Sequence, residues 1–150
     1  MIAPRVRRFA LNPAHTLGLM ATIVMLLIGC GSTKDVKLAE QGTGQFHSQL
    51  DSEQYRAVYA QADENLHKAA TEADFVNLLQ AVHQKLGRVQ SSQRRNYQVN
   101  WSTGLGTVIT LIYDTSFDGG NSTEQFAWRI RDNQPALIGY HISSNALITK

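Results

Sequence analysis

The sequence has a single cysteine, Cys30, in 150 residues. A lone thiol builds neither a disulfide framework nor a thiolate metal cluster. Charge of one sign is also scarce: 14 Lys and Arg stand against 12 Asp and Glu, and only 17% of residues are charged. With 43% hydrophobic residues, the chain is too apolar and too nearly neutral for disorder and fits one ordinary globular domain. It holds no internal repeat and no low-complexity segment. The apolar run Leu17–Gly29 has thirteen residues, whereas a helix crossing a bilayer core needs about 20, so a permanent span is disfavoured.

That run has the surroundings of an export signal. Arg5, Arg7 and Arg8 precede it, and no acidic residue occurs before Asp35. A basic leader followed by a short apolar stretch is the pattern of a signal peptide. The run closes on Leu27-Ile28-Gly29-Cys30, which resembles the lipobox of bacterial lipoproteins. The resemblance implies cleavage between Gly29 and Cys30, with residues 1–29 as signal peptide, and a lipidated Cys30. The small, polar Gly31–Asp35 stretch reads as a tether, so 30–37 is expected as lipidated cysteine and tether and 38–150 as one domain. Two acyl chains already make anchoring stable, because each buried methylene contributes about 0.8 kcal/mol. In lipoproteins of this kind an Asp directly after the cysteine marks inner-membrane retention. Gly31 stands there, so the implied destination is the cell envelope, at the outer membrane facing the periplasm if the cell has one. Removal of the leader takes three arginines with it and leaves eleven basic against twelve acidic side chains.

From about Val36 to Leu86 the spacing is helical. Thr71 can cap a helix whose first turn carries Glu72 and Asp74 and whose apolar face runs Phe75, Leu78, Leu79, Val82 and Leu86, with Gly87 as its stop. A shorter helix sets Tyr55, Val58 and Tyr59 together, and an earlier one carries Leu38, Phe46 and Leu50, weakened at Gly42 and Gly44. Asp63–Ala70 is expected as a loop or loose turn. The pattern then switches to period two: Tyr97, Val99 and Trp101 share a face, Thr107–Tyr113 is β-branched and apolar, and Phe126, Trp128 and Ile130 alternate before a last strand over 136–143. Asp118-Gly119-Gly120-Asn121 and Asp132-Asn133-Gln134-Pro135 mark turns. The expected fold is α+β, with N-terminal helices packed on a curved antiparallel sheet of about four strands.

The order of "QYRAVYAQA", "TEADFVNLLQAVHQKLG", "YDTSFDGGNSTEQFAWRI" and "LIGYHIS" resembles small bacterial lipoproteins with a cystatin-like or nuclear-transport-factor-2-like cone. In such a cone a long helix lies in the concave face of the sheet, over a filled core or a pocket. On that resemblance Phe75, Tyr97, Trp101, Tyr113, Phe126, Trp128 and Tyr140 are the candidate pocket lining.

The chemistry-bearing residues form no recognisable signature. His47, His67, His83 and His141 lack metal-site spacing, Glu64 and His67 being the nearest approach. Gly104-Leu105-Gly106 lacks the rest of a phosphate loop. Arg88, Arg94, Arg95, Arg129 and Arg131 read either as a solvated face or as a positive patch, and Asp114 and Asp118 as local backbone acceptors beside turns. No metal, cofactor, catalytic residue or nucleic-acid partner is expected. The resulting expectation is a membrane-anchored envelope lipoprotein with a non-catalytic domain that binds an envelope protein or a small hydrophobic ligand. The alternative is a cone-fold acid/base enzyme acting on a small hydrophobic molecule, which would require a deep pocket holding a desolvated carboxylate or histidine.

Overall fold

Val36, Ala39, Thr43, Phe46 and Leu50 recur at alternating intervals of three and four and are all buried, which is the stripe of a helix lying on a core. They belong to α1, Cys30–Asp51. The computed structural model that contains it describes residues 30–148; the expected signal segment 1–29, including Gly29, lies outside the described residues. The expected tether over 30–37 is a helix instead. The segment is helical from Cys30, Val36 is already core, and Lys34 Nζ donates to Asn133 Oδ1 at 2.8 Å. The buried stripe starts two residues before Leu38, which is itself only half-buried.

Three further helices come next: α2 Tyr55–Ala60, α3 Glu64–Ala69 and α4 Glu72–Leu86. The stretch expected as a loop is α3, started by Asp63, whose side chain accepts from the Asn65 backbone N–H. In α4 Thr71 caps as expected, accepting from Asp74 N–H, and Gly87 ends the helix at φ 73°, where a Cβ would be strained. Phe75, Leu79, Val82 and Leu86 are buried, whereas Leu78 is exposed because it falls at the margin of the stripe.

The strands β1 Val89–Ser102, β2 Gly106–Phe117, β3 Gly120–Arg131 and β4 Gln134–Ser143 form one antiparallel sheet in the order β1-β2-β3-β4. A one-turn helix, α5 Asn145–Ile148, comes last. The fold is α+β, with helices followed by a curved four-stranded antiparallel sheet. Register shifts between Arg94 and Asn96 and between Ala127 and Trp128 insert extra residues that bend the strands.

The inner face carries Ile109, Leu111, Tyr113, Thr115 and Phe117 from β2, paired with Trp128, Phe126, Glu124, Ser122 and Gly120 of β3. It is α1, not the Phe75 helix, that lies across this face. The Phe46 ring meets Phe126 edge-on at 5.0 Å, and Trp128 Nε1 donates to Thr43 Oγ1 at 3.1 Å. Gly42 permits that approach, since a Cβ there would stand 3.0 Å from the Trp128 ring. The α4 helix instead faces Tyr59 through Phe75, the rings 6.0 Å apart, and its end docks on the β2–β3 turn, where Gly119 N–H donates to Leu86 O.

A buried ion pair, Arg129 to Asp63 at 3.1 Å, pins the start of α3 to β3. Burial raises the Asp63 pKa, but hydrogen bonds from Asn65 and the Arg129 guanidinium outweigh it and hold the carboxyl below its usual value.

Two stability measurements check this packing. Gly44 has open space around it, so Gly44→Ala should stabilise by up to about 1 kcal/mol in denaturant titration through helix propensity. Gly42→Ala has the same propensity gain but should destabilise by about 1–3 kcal/mol, because it wedges Trp128 off α1. Asp63→Asn should cost about 1–3 kcal/mol at neutral pH, because it removes the buried charged partner of Arg129 and leaves the longer contact to Glu64 at 4.0 Å. Since the folded pKa of Asp63 is lowered, its contribution is complete above the ordinary carboxylate range and is lost as pH falls through the folded value. The gap between wild type and Asp63→Asn should therefore close on acidification.

Candidate functional site

Inward alternation on β3 runs Ser122, Glu124, Phe126, Trp128, which buries a carboxylate at the centre of the α1–sheet seam. Glu124 is 0% exposed. Its Oε2 accepts from Thr115 Oγ1 at 2.5 Å and pairs with His47 Nε2 at 2.8 Å, while Oε1 accepts from Tyr140 OH at 2.8 Å. As a carboxylate Glu124 only accepts, so His47 Nε2 carries a proton toward it. Thr115 spends its single hydroxyl proton on Glu124, and Ser92 Oγ, 3.1 Å away, therefore donates to Thr115. Burial, then the Glu124 charge and its hydrogen bond, push the Tyr140 phenol well above its ordinary pKa and keep it a donor. One carboxylate thus gathers side chains from α1, β2 and β4.

The space around this cluster is occupied. Phe126 lies 5.6 Å from His47 and 5.1 Å from Tyr140, and Phe46 lies 4.7 Å from Tyr140. Of the seven candidate lining residues, Tyr113, Phe126, Trp128 and Tyr140 come together here and fill the seam rather than line an opening. Phe75 is buried elsewhere, among the helices. Tyr97 and Trp101 do share the inner face, paired with Leu111 and Thr107, but are 49% and 73% exposed, because that half of β1 extends past the cover of the helices.

The outer face carries an open groove of about 530 Å³. Ser91, Gln93, Ser116, Asn121, Thr123 and Ser143 line it, alternating with the inward-facing Thr115, Ser122 and Glu124. Its carboxylate, Asp114, pairs with Arg95 at 3.2 Å. Such a lining recognises a ligand by hydrogen bonds rather than by apolar burial.

The arginines do not gather into a patch. Arg94 pairs with Glu40 of α1 at 3.0 Å, its neighbour Arg95 turns to Asp114, and Arg129 is buried against Asp63. Asp118 accepts from the Arg88 backbone N–H, as its place beside a turn suggested. His67 pairs its Nε2 with Tyr59 O at 2.7 Å, apart from Glu64, which reaches Lys68. Among the described residues no group of three or more His, Cys, Asp and Glu is placed to hold a metal ion.

Glu124 and His47 escape sequence reading because they lie 77 positions apart. The available signal was the Phe126-Trp128-Ile130 alternation, which places Glu124 inward when extended back by one step. Glu124→Ala strands three donors in the core and should destabilise by about 3–5 kcal/mol in chemical denaturation. A double-mutant cycle with His47→Ala should show coupling of about 1 kcal/mol or more.

The Glu124 cluster, Thr43 and most of the inner face fall within residues 43–140, which match the family described as Protein of unknown function (DUF4019). No curated protein matches the chain. With the match covering most of the sequence, the chain belongs to the DUF4019 family.

Proposed function

We propose that this is a cell-envelope lipoprotein, anchored through Cys30, whose domain binds a ligand or partner protein without catalysing a reaction. The single observation that favours binding over catalysis is the state of Glu124. Its carboxylate is wholly buried and hydrogen-bonded at both oxygens, beneath the packed rings of Phe46, Phe126 and Tyr140, so it lies out of hydrogen-bond reach of a substrate at the surface. Open, hydrogen-bonding surface lies instead in the groove on the outer face. The address reading rests on Arg5, Arg7, Arg8, the short apolar run and Leu27-Ile28-Gly29-Cys30. Among the described residues no helix is long and apolar enough to cross a membrane, and covalent lipid is a sufficient attachment. An outer-membrane position facing the periplasm is part of the proposal.

The second reading, a cone-fold acid/base enzyme, has Glu124 and His47 in its favour: a buried carboxylate hydrogen-bonded to a histidine and a tyrosine has the parts of a proton relay. It requires a substrate-sized opening where Phe46, Phe126 and Tyr140 now pack.

The anchor is tested by metabolic labelling with palmitate in a bacterial host. Wild type should incorporate label and Cys30→Ala should not, and blocking the lipoprotein signal peptidase should accumulate a species longer by residues 1–29. Label retained in Cys30→Ala, or never incorporated, would overturn the assignment.

A further inference from the structure

Trp101, Val99 and Tyr97 stand at alternate positions on the inner face of β1, paired with Thr107, Ile109 and Leu111. They are 73%, 40% and 49% exposed. Where the helical cover stops is visible in the contacts. Glu40 of α1 holds Arg94, and the Arg94 guanidinium sits 4.8 Å over the Tyr97 ring. Past that point the apolar face continues through Val99 and Trp101, which are exposed. The sheet register fixes which end of the molecule this is. Trp101 pairs with Thr107, Thr107 with Ile130, and Ile130 with Pro135, so the β1–β2 and β3–β4 turns share one end. Lys34 of α1 bonds Asn133 in the β3–β4 turn, and the beginning of α1 is therefore at the same end.

Cys30 precedes Lys34 by four residues, a stretch that spans about 14 Å at most. Over so short a link, acyl chains on Cys30 hold this end of the sheet close to the lipid headgroups. Tryptophan and tyrosine are the side chains that favour that layer, being apolar in body and polar at one edge.

We propose that the Tyr97-Val99-Trp101 face is seated in the interfacial layer of the membrane that carries the lipid on Cys30. The proposal rests on the lipoprotein reading above. Its role is orientation rather than retention, because the acyl chains alone secure attachment. The face fixes which way the domain stands, and the polar groove, at the β2–β3 end of the sheet, is turned away from the bilayer.

The test uses the full-length protein, processed and lipidated in its host, reconstituted into phosphatidylethanolamine and phosphatidylglycerol vesicles. The sequence has two tryptophans, and Trp128 is buried, so the difference between wild type and Trp101→Phe isolates Trp101 emission without disturbing the core. The expected result is a blue-shifted Trp101 signal that is lost in vesicles of brominated acyl-chain lipid and resists aqueous iodide. Trp101→Ser should remain in the membrane fraction, yet lose the protection of Tyr97 and Val99 from the aqueous phase. Acylated protein whose Trp101 emits as in water and is quenched by iodide would overturn this proposal alone. Protection from iodide without bromine quenching would also overturn it, pointing to a protein or a second copy on the face. An intact mass showing no acyl chain on Cys30 would remove the anchor and this proposal together.

Discussion

The seam between α1 and the sheet depends on a charge that water cannot reach. Burying a carboxylate is costly unless its lone pairs are met by donors. Glu124 meets that requirement with His47 from α1, Thr115 from β2 and Tyr140 from β4. Apolar packing alone tolerates small slips of a helix along a sheet, since one methyl contact replaces another. A directional bond from His47 to a carboxylate fixed within the sheet by Thr115 and Tyr140 does not. The Trp128 to Thr43 bond and the bare backbone at Gly42 fix the same register one helical turn earlier, and the Asp51 carboxylate accepting from Val89 N–H fixes it at the end of the helix.

That register has consequences on the other face. Because side chains alternate along a strand, an inward Glu124 commits Thr123 and Gln125 outward, and an inward Thr115 commits Asp114 and Ser116 outward. The hydroxyl-rich groove is thus the reverse side of the buried cluster, coupled to it through shared strands. Thr115 takes part in both, lining the groove and donating to Glu124. A ligand that displaced this stretch of β2 would act on the central hydrogen bonds of the fold.

Legibility in the sequence tracked the range of the interactions. Local determinants read directly: the Thr71 cap, the Gly87 stop, the turns at Asp118-Gly119 and Asp132-Asn133, and the alternation of β3. The segment Asp63–Ala70 was obscured because its helix is short and depends on the Asp63 cap and the Arg129 pair, the latter 66 residues away. The segment after Cys30 looked like a tether because its polar residues outnumber its apolar ones, yet one valine and one alanine at the right spacing suffice to begin a buried stripe. The aromatic residues were legible as inward-facing but not as covered. Tyr97 and Trp101 keep the alternation of a core strand although both are exposed. Glu124 and His47 carry no local mark at all, since a buried polar pair is defined by what the tertiary fold places beside it.

The replacement of a tether by a helix alters what an anchor at Cys30 can do. A flexible linker would leave the domain free to tumble above the membrane, and its surfaces would meet partners in every orientation. A helix held on the core from Lys34 and Val36 onward leaves only a short link to Cys30 and restricts orientation instead, because its register against the sheet is held by Glu124, Thr43 and Gly42. On the proposed anchor, the interaction that stabilises the seam is then also the one that directs the outer groove. Loosening Glu124 would not detach the domain from the membrane, but it would uncouple the direction of the groove from the attachment point.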